Sequence, residues 1–104
     1  MEEKIISVYD LTTDMAVEST IGEVLNKQIL EGVKSNNKVI VDFKNVNVVL
    51  TAFLNASIGN LFHEINKDIF EKQIKIINLP EFSQSSLERV IKNAEQKYAK
   101  AKSV

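Results

Sequence analysis

The sequence has few of the residue types on which common enzymatic and metal sites depend. Cysteine is absent, which excludes disulfides, thiolate metal sites and cysteine nucleophiles. A single histidine leaves little room for a histidine-based metal cluster or catalytic triad. Three glycines and one proline among 104 residues argue against a disordered or low-complexity chain. The composition therefore predicts one folded domain over residues 1–104, with no metal and no cofactor.

Charge of either sign is not in excess, and long apolar runs are missing. Thirteen Lys and Arg oppose fourteen Asp and Glu, so no basic surplus is available to hold nucleic acid. No window approaches the roughly 20 apolar residues that a membrane span requires. The charged start of the chain precedes an apolar stretch that is too short for a signal peptide. We therefore expect a cytoplasmic protein that binds neither nucleic acid nor membrane.

Catalytic motifs are not apparent either. The sequence contains no glycine-rich phosphate loop, no dinucleotide fingerprint and no nucleophile elbow. His63 has no carboxylate or nucleophile placed by spacing to work with it, so a solvent-facing position is favoured over a catalytic base. We therefore expect that the protein is not an enzyme and has no catalytic residues.

Short β-branched segments alternate with segments of helical spacing. Strands are predicted over residues 5–9, 38–43 and 73–79, and a short extended piece over 15–17 is expected to pair with the first strand. Helices are predicted from a capping box of Thr20 and Glu23 to the residues before Asn36 and Asn37, from near Ala52 to Ile69, and from residues 83–86 onward. This order predicts an α/β fold, with a mixed or parallel sheet of three to four strands and about three helices packed on it.

The segment from Val39 to Phe62 carries a family resemblance. A strand ends in Asp42-Phe43, a turn with Val46 follows, and Thr51 precedes Phe53-Leu54 at a helix start. This pattern resembles the central segment of STAS-like domains of unknown function, which are related to the anti-sigma factor antagonists. The polar start of the preceding helix and the asparagine near the end of the later strand also fit, so the resemblance spans most of the chain. It implies a STAS-like two-layer sandwich.

The resemblance also implies a function. STAS antagonists are non-enzymatic bacterial regulators, and a partner kinase phosphorylates a serine in this segment. Alignment places Thr51 at that serine, Leu50 at the aspartate before it and Phe53 at a glycine. The chain would then be a regulatory protein-interaction module, an antagonist or adaptor for a histidine-kinase-like ATPase or another regulator, with Thr51 as a phospho-switch. The alternative for Thr51 is a plain helix N-cap.

Two groups of residues in this segment are candidate binding sites. The apolar residues Leu50, Phe53 and Leu54, with the valines before them, exceed what one core face needs, and Val46–Phe62 contains no charged residue, which favours a docking surface. Polar residues are expected to lie together beyond the carboxyl end of the central strand, where open α/β sheets bind ligands; they are Asp42, Asn45, Asn47 and Thr51. The alternative is that the aspartate and asparagines only close a turn.

Two other functions remain open from the sequence. A small-ligand or nucleotide-binding domain would use Asp42, Asn45 and Thr51. A structural homodimer would bury the second face of the sheet, because residues 39–41 are apolar on both sides of the central strand.

Overall fold

The computed structural model describes residues 2–102, with the side chains of residues 2–98. Within this range the chain forms five strands, five α-helices and two short 3-10 helices. In chain order they are β1 (Glu3–Ser7), α1 (Val8–Thr12), β2 (Met15–Ala16), α2 (Ser19–Lys34), β3 (Lys38–Asp42), β4 (Val48–Val49), α3 (Thr51–Ser57), a 3-10 helix (Gly59–His63), α4 (Lys67–Gln73), β5 (Ile74–Ile77), a 3-10 helix (Glu81–Ser83) and α5 (Gln84–Lys102). The predicted α/β class is confirmed.

The main sheet has three parallel strands in the order β1-β3-β5, so the predicted central strand lies in the centre. Val39 and Val41 of this strand are fully buried; Val41 pairs with the buried Ile6 of β1, and Val39 pairs with the buried Ile74 of β5. On the opposite face, the equivalent residue of β1, Ile5, is 66% exposed. Because α2 and α4 contact the strands from the buried side, the sheet and helices form two layers.

The second sheet contains only β2 and β4, which run parallel in the register Met15↔Val48 and Ala16↔Val49. The expected pairing of residues 15–17 with the first strand is therefore wrong. The reason is that β1 ends at Ser7, whose side-chain oxygen accepts a hydrogen bond from the Asp10 amide at 3.4 Å. This cap starts α1, which carries the chain away from the main sheet before β2 begins.

The sequence predicted the C-terminal end of α2 correctly but not its N-terminal cap. The expected capping box is wrong, because Glu18 occupies the N-cap position and makes no side-chain capping bond. The predicted end is confirmed. Asn36 takes a left-handed conformation (φ 61°), and the Asn37 amide donates to the Gly32 carbonyl at 2.9 Å. This is the hydrogen-bonding pattern of a Schellman motif.

The second predicted helix is divided into α3, a 3-10 helix and α4. Ser57 is fully buried, and its hydroxyl donates to the Phe53 carbonyl one turn earlier at 2.8 Å at the end of α3. Asn66 then starts α4, since its side-chain oxygen accepts from the Ile69 amide at 2.9 Å. Apolar spacing continues through both breaks, which is why the sequence predicted one helix.

The contact between α2 and α3 fixes the position of α3 and of the residues just before it. A Cβ atom at Gly22 would lie 2.9 Å from both the Ala56 Cβ and the Phe53 carbonyl oxygen, so the two helices approach closely because this residue has no side chain. The Asn26 side chain donates to the Ser57 carbonyl at 3.1 Å across the same contact. This packing holds the start of α3 against α2 and leaves Leu50 and Thr51 exposed.

Candidate functional site

The outer side of the β2–β4 ladder is apolar. Side chains alternate along a strand, so the burial of Ala16 (0% exposed) and Val49 (8% exposed) turns their neighbours outward. The Leu50 amide donates to the Ala16 carbonyl at 3.0 Å, which extends the ladder by one residue. We call the outward-facing side chains the apolar face; they are Met15, Val17, Val48 and Leu50.

The apolar face is accessible and continues into a depression. Met15 is 49% exposed and Leu50 is 47% exposed, while Val17 and Val48 are half-buried. A cavity of about 230 Å³ lies beside β2. Its walls combine apolar and polar side chains: Leu11, Thr12, Met15, Val17, Glu18 and Ile21. Met15 and Val17 belong to both the apolar face and the depression, so the two are continuous. Clusters of exposed apolar side chains with polar groups at the rim mark interaction sites on soluble proteins.

Thr51 lies at the edge of the apolar face. It is exposed and is the first residue of α3, directly after Leu50. The N-cap position belongs to Leu50, which has an extended backbone (φ −88°, ψ 151°) and no side-chain capping bond. The interpretation of Thr51 as a plain N-cap is therefore wrong, and its hydroxyl group is not required for capping.

Phe53 and Leu54 were expected to contribute to the docking surface. Both are fully buried, because the side of α3 that carries them packs into the core. They can therefore affect the surface only by holding α3 in place. Of the apolar residues proposed from the sequence, Leu50 is the one with a large exposed area.

Asp42 closes the end of the central strand. One carboxylate oxygen, Oδ1, accepts from the Lys44 amide at 2.9 Å and from the Asn78 side chain at 2.8 Å. The Val46 amide donates to the Phe43 carbonyl at 3.0 Å across the following turn. Asp42 therefore closes the turn, which is one of the two alternatives that the sequence left open, and it also joins the ends of β3 and β5.

A crevice of about 500 Å³ lies beside this turn, at the carboxyl edge of the sheet. Asn45 and Asn47 line the crevice, and Asp42 contacts it through the hydrogen bond to Asn78. Thr51 lies instead at the edge of the apolar face. The polar residues that we expected to lie together are thus divided between two surfaces. The remaining walls are Phe43, Lys44, Val46, Asn78, Leu79, Pro80 and Phe82.

Three surface residues of these sites do not stand out in the sequence. Met15 and Val17 would have been found from their alternation with Ala16 if the pairing of β2 with β4 had been known. Phe82 is 71% exposed at the crevice, and no periodic pattern in the sequence identifies it. A phenylalanine exposed to this extent provides a flat apolar surface at the mouth of the crevice.

Potential metal ligands do not cluster among the described side chains. No group of three or more potential metal-ligating His, Asp or Glu residues occurs there. His63 is exposed, as expected, and its ring centroid lies 3.8 Å from that of Tyr98. Across residues 2–102, no helix has the length and apolar character needed to cross a membrane.

Comparisons with known proteins place the central part of the chain in a family. The model of a family described as "STAS-like domain of unknown function (DUF4325)" matches residues 22–83. The matched range runs from α2 through the second 3-10 helix, and it includes Leu50, Thr51 and the walls of the crevice. No curated protein and no solved structure gives a significant match.

Proposed function

Because the chain belongs to the family of STAS-like domains of unknown function, we propose that it is a non-enzymatic regulatory module that docks a partner protein on the apolar face. The observation that carries the proposal is the exposure of Met15 and Leu50 on the outer side of the β2–β4 ladder, where Met15 pairs with Val48 and Leu50 lies one residue beyond the paired register. Large apolar side chains that cluster at the surface gain free energy when a partner covers them, about 25 cal/mol for each Å² of apolar area buried.

Thr51 gives this surface a means of regulation. Its exposed hydroxyl follows Leu50 directly, so a phosphate there would add a charge of about −1.5 to −2 at the edge of the apolar face. A partner that covers Leu50 would then have to desolvate that charge, which favours its release. The resemblance to anti-sigma factor antagonists supports a histidine-kinase-like ATPase as the partner and as the kinase.

The test compares a tagged wild-type chain with single variants expressed in its native host. We expect Leu50→Glu to lose specific partners that the wild type retains, because a charge replaces an exposed contact side chain. Thr51→Glu is expected to weaken the same association at least tenfold, whereas Thr51→Ser retains it. The measurement is mass spectrometry of the co-purified proteins, followed by titration of the purified partner.

Phe82→Glu is the matched control, since it places the same charge on an exposed apolar residue outside the apolar face. It should retain the partners. Equal retention by the Leu50→Glu variant, with its fold verified by circular dichroism, would contradict the proposed surface. Unchanged affinity of Thr51→Glu would contradict the switch alone.

The crevice supports a second candidate function, the binding of a small ligand. Phe82 offers an exposed ring for stacking, and the side-chain amides of Asn45, Asn47 and Asn78 offer both donors and acceptors around it. A planar heteroaromatic group such as a nucleotide base matches this combination. The ligand site would therefore use Asn45 and Phe82, and Thr51 would take no part in it.

A thermal-shift titration with mononucleotides tests the second candidate. Binding with a Kd tenfold below the ligand concentration stabilises the folded state by about 1.4 kcal/mol, which raises the melting temperature by several degrees. Phe82→Ala should abolish the shift, while Leu50→Glu should leave it unchanged. No shift at millimolar concentrations of any nucleotide would exclude a nucleotide site in the crevice.

A further inference from the structure

The apolar face is built from one acidic segment and one neutral segment. Between Lys4 and Lys27 the chain contains no lysine or arginine, and Val46–Phe62 contains no charged residue. The acids of the first segment are Asp10, Asp14, Glu18 and Glu23. The face takes two of its side chains from each segment. The charged residues nearest to its β2 side along the chain, Asp14 and Glu18, are acidic, while Lys44 is the nearest on the β4 side, four residues before Val48.

Asp14 and Glu18 stand closest to the face in sequence. They flank the stretch Met15–Val17 on either side, and both are exposed. Glu18 also lines the depression that continues the face. A partner side chain that enters this depression would therefore meet apolar walls and a carboxylate at the rim.

We infer that the partner presents a basic amphipathic helix, with apolar side chains on the apolar face and Lys or Arg beside Asp14 and Glu18. This inference rests on the proposed docking function and names the chemistry of the partner. Opposite charges at a rim accelerate encounter and reject partners of the wrong charge, while the apolar contacts supply most of the affinity.

The spacing of the side chains on the face is compatible with a helix, and the short edge of the ladder disfavours an extended peptide that would add as a strand. Alternate residues of a strand, such as Met15 and Val17, are about 6.6 Å apart, and neighbouring strands are about 4.8 Å apart. Side chains at positions i and i+4 of a helix are separated by a similar distance, about 5–6 Å. A ladder of two-residue strands has too short an edge for a partner strand to add to it.

The same charge pattern disfavours other occupants. Nucleic acids and anionic membranes carry negative charge and would be repelled by the acidic rim. Two apolar faces from two copies of the chain would bring Asp14 and Glu18 of both copies together. A basic segment of another protein meets neither obstacle.

The experiment uses two designed 18-residue amphipathic peptides with the same leucine stripe. One carries Lys and Arg on its polar face, and the other carries Glu. Binding to the full chain is followed by NMR chemical shifts and fluorescence anisotropy. We expect the basic peptide to bind about tenfold more tightly, with shifts centred on the apolar face and an affinity that falls as salt increases.

Charge reversal provides the control. Asp14→Lys combined with Glu18→Lys should reverse the preference between the peptides, whereas Glu81→Lys combined with Glu88→Lys changes the net charge equally and should not. Equal affinity of both peptides at the apolar face would overturn the charge inference but retain the docking surface. Failure of both to bind there, or shifts confined to another surface, would overturn the docking proposal as well.

Discussion

At the scale of single residues, positive φ angles occur at asparagines, which tolerate them, and at one threonine, in which they cause strain. Among residues 2–102, four non-glycine residues have positive φ, and three of them are asparagines, which tolerate this region: Asn36, Asn45 and Asn78. The fourth is Thr13, a β-branched residue at φ 58° and ψ −141°. Such a conformation costs about 1–3 kcal/mol and is found mainly where function requires it. Thr13 connects α1 to β2, so the strain lies next to the apolar face.

Thr13→Gly is expected to stabilise the protein by about 1 kcal/mol. Glycine adopts positive φ without strain, and this gain exceeds the cost of about 0.5–1 kcal/mol for its greater freedom in the unfolded chain. Chemical denaturation measures the change. Asn36→Gly serves as the control and should be nearly neutral, because asparagine already suits its left-handed position. A lower stability of the Thr13→Gly variant would show that this residue is not strained.

At the scale of elements, the position of α3 depends on its contact with α2. A glycine inside a long helix ordinarily costs about 1 kcal/mol relative to alanine, so Gly22 lowers the intrinsic stability of α2. The close packing of α3 against α2 compensates for this cost. The absence of a side chain lets the α3 backbone approach, which places Thr51 and Leu50 beside β2.

Gly22→Ala is therefore expected to destabilise the protein by about 1–3 kcal/mol, despite the better helix propensity of alanine. The added methyl group would overlap the Ala56 side chain and the Phe53 carbonyl oxygen. Ala56→Gly in the same chain should recover part of the loss, since it removes one of the two overlaps. Thermal or chemical unfolding measures the change in stability. A gain in stability of the Gly22→Ala variant would contradict the close contact between α2 and α3.

The elements also show which features of the fold hydrophobic periodicity predicts and which it does not. The existence of the three main strands, the end of α2 at its asparagines and the start of a helix near Ala52 were predicted correctly. The predicted bounds of the first strand, residues 5–9, were wrong, because the strand spans Glu3–Ser7 and the Ser7 cap starts α1 at Val8. The breaks around Ser57 and Asn66 were not, because the apolar residues keep helical spacing across them. They depend on side-chain hydrogen bonds to the backbone, which hydrophobic spacing does not reveal.

At the scale of the whole molecule, the open face of the main sheet bears on the homodimer alternative. Three strands about 4.8 Å apart, two of five residues and one of four, at about 3.3 Å for each residue, offer only about 220 Å² of sheet. A stable dimer buries about 800 Å² on each partner. The face also carries Lys75 and Asp42 among its isoleucines. This surface is too small and too polar to hold two copies together by itself.

We therefore expect a monomer of 11.7 kDa by size-exclusion chromatography with light scattering. The expected mass is independent of concentration in the micromolar range. Ile5→Lys, which places a charge on the open face, should leave the mass unchanged. Twice the monomer mass, lost in the Ile5→Lys variant, would instead support a homodimer through the sheet.

The sequence by itself determined the alternation of strands and helices, the central strand, the family resemblance and the charge-free segment. These properties follow from local spacing and composition, which a chain carries before it folds. Only the tertiary structure decided which apolar residues face solvent. Phe53 and Leu54 lie in the core because α3 packs on α2. Met15 and Leu50 lie on the same exposed side because β2 pairs with β4. Both outcomes depend on contacts between residues about 30 positions apart, and periodicity along the chain identifies an apolar side without identifying what covers it.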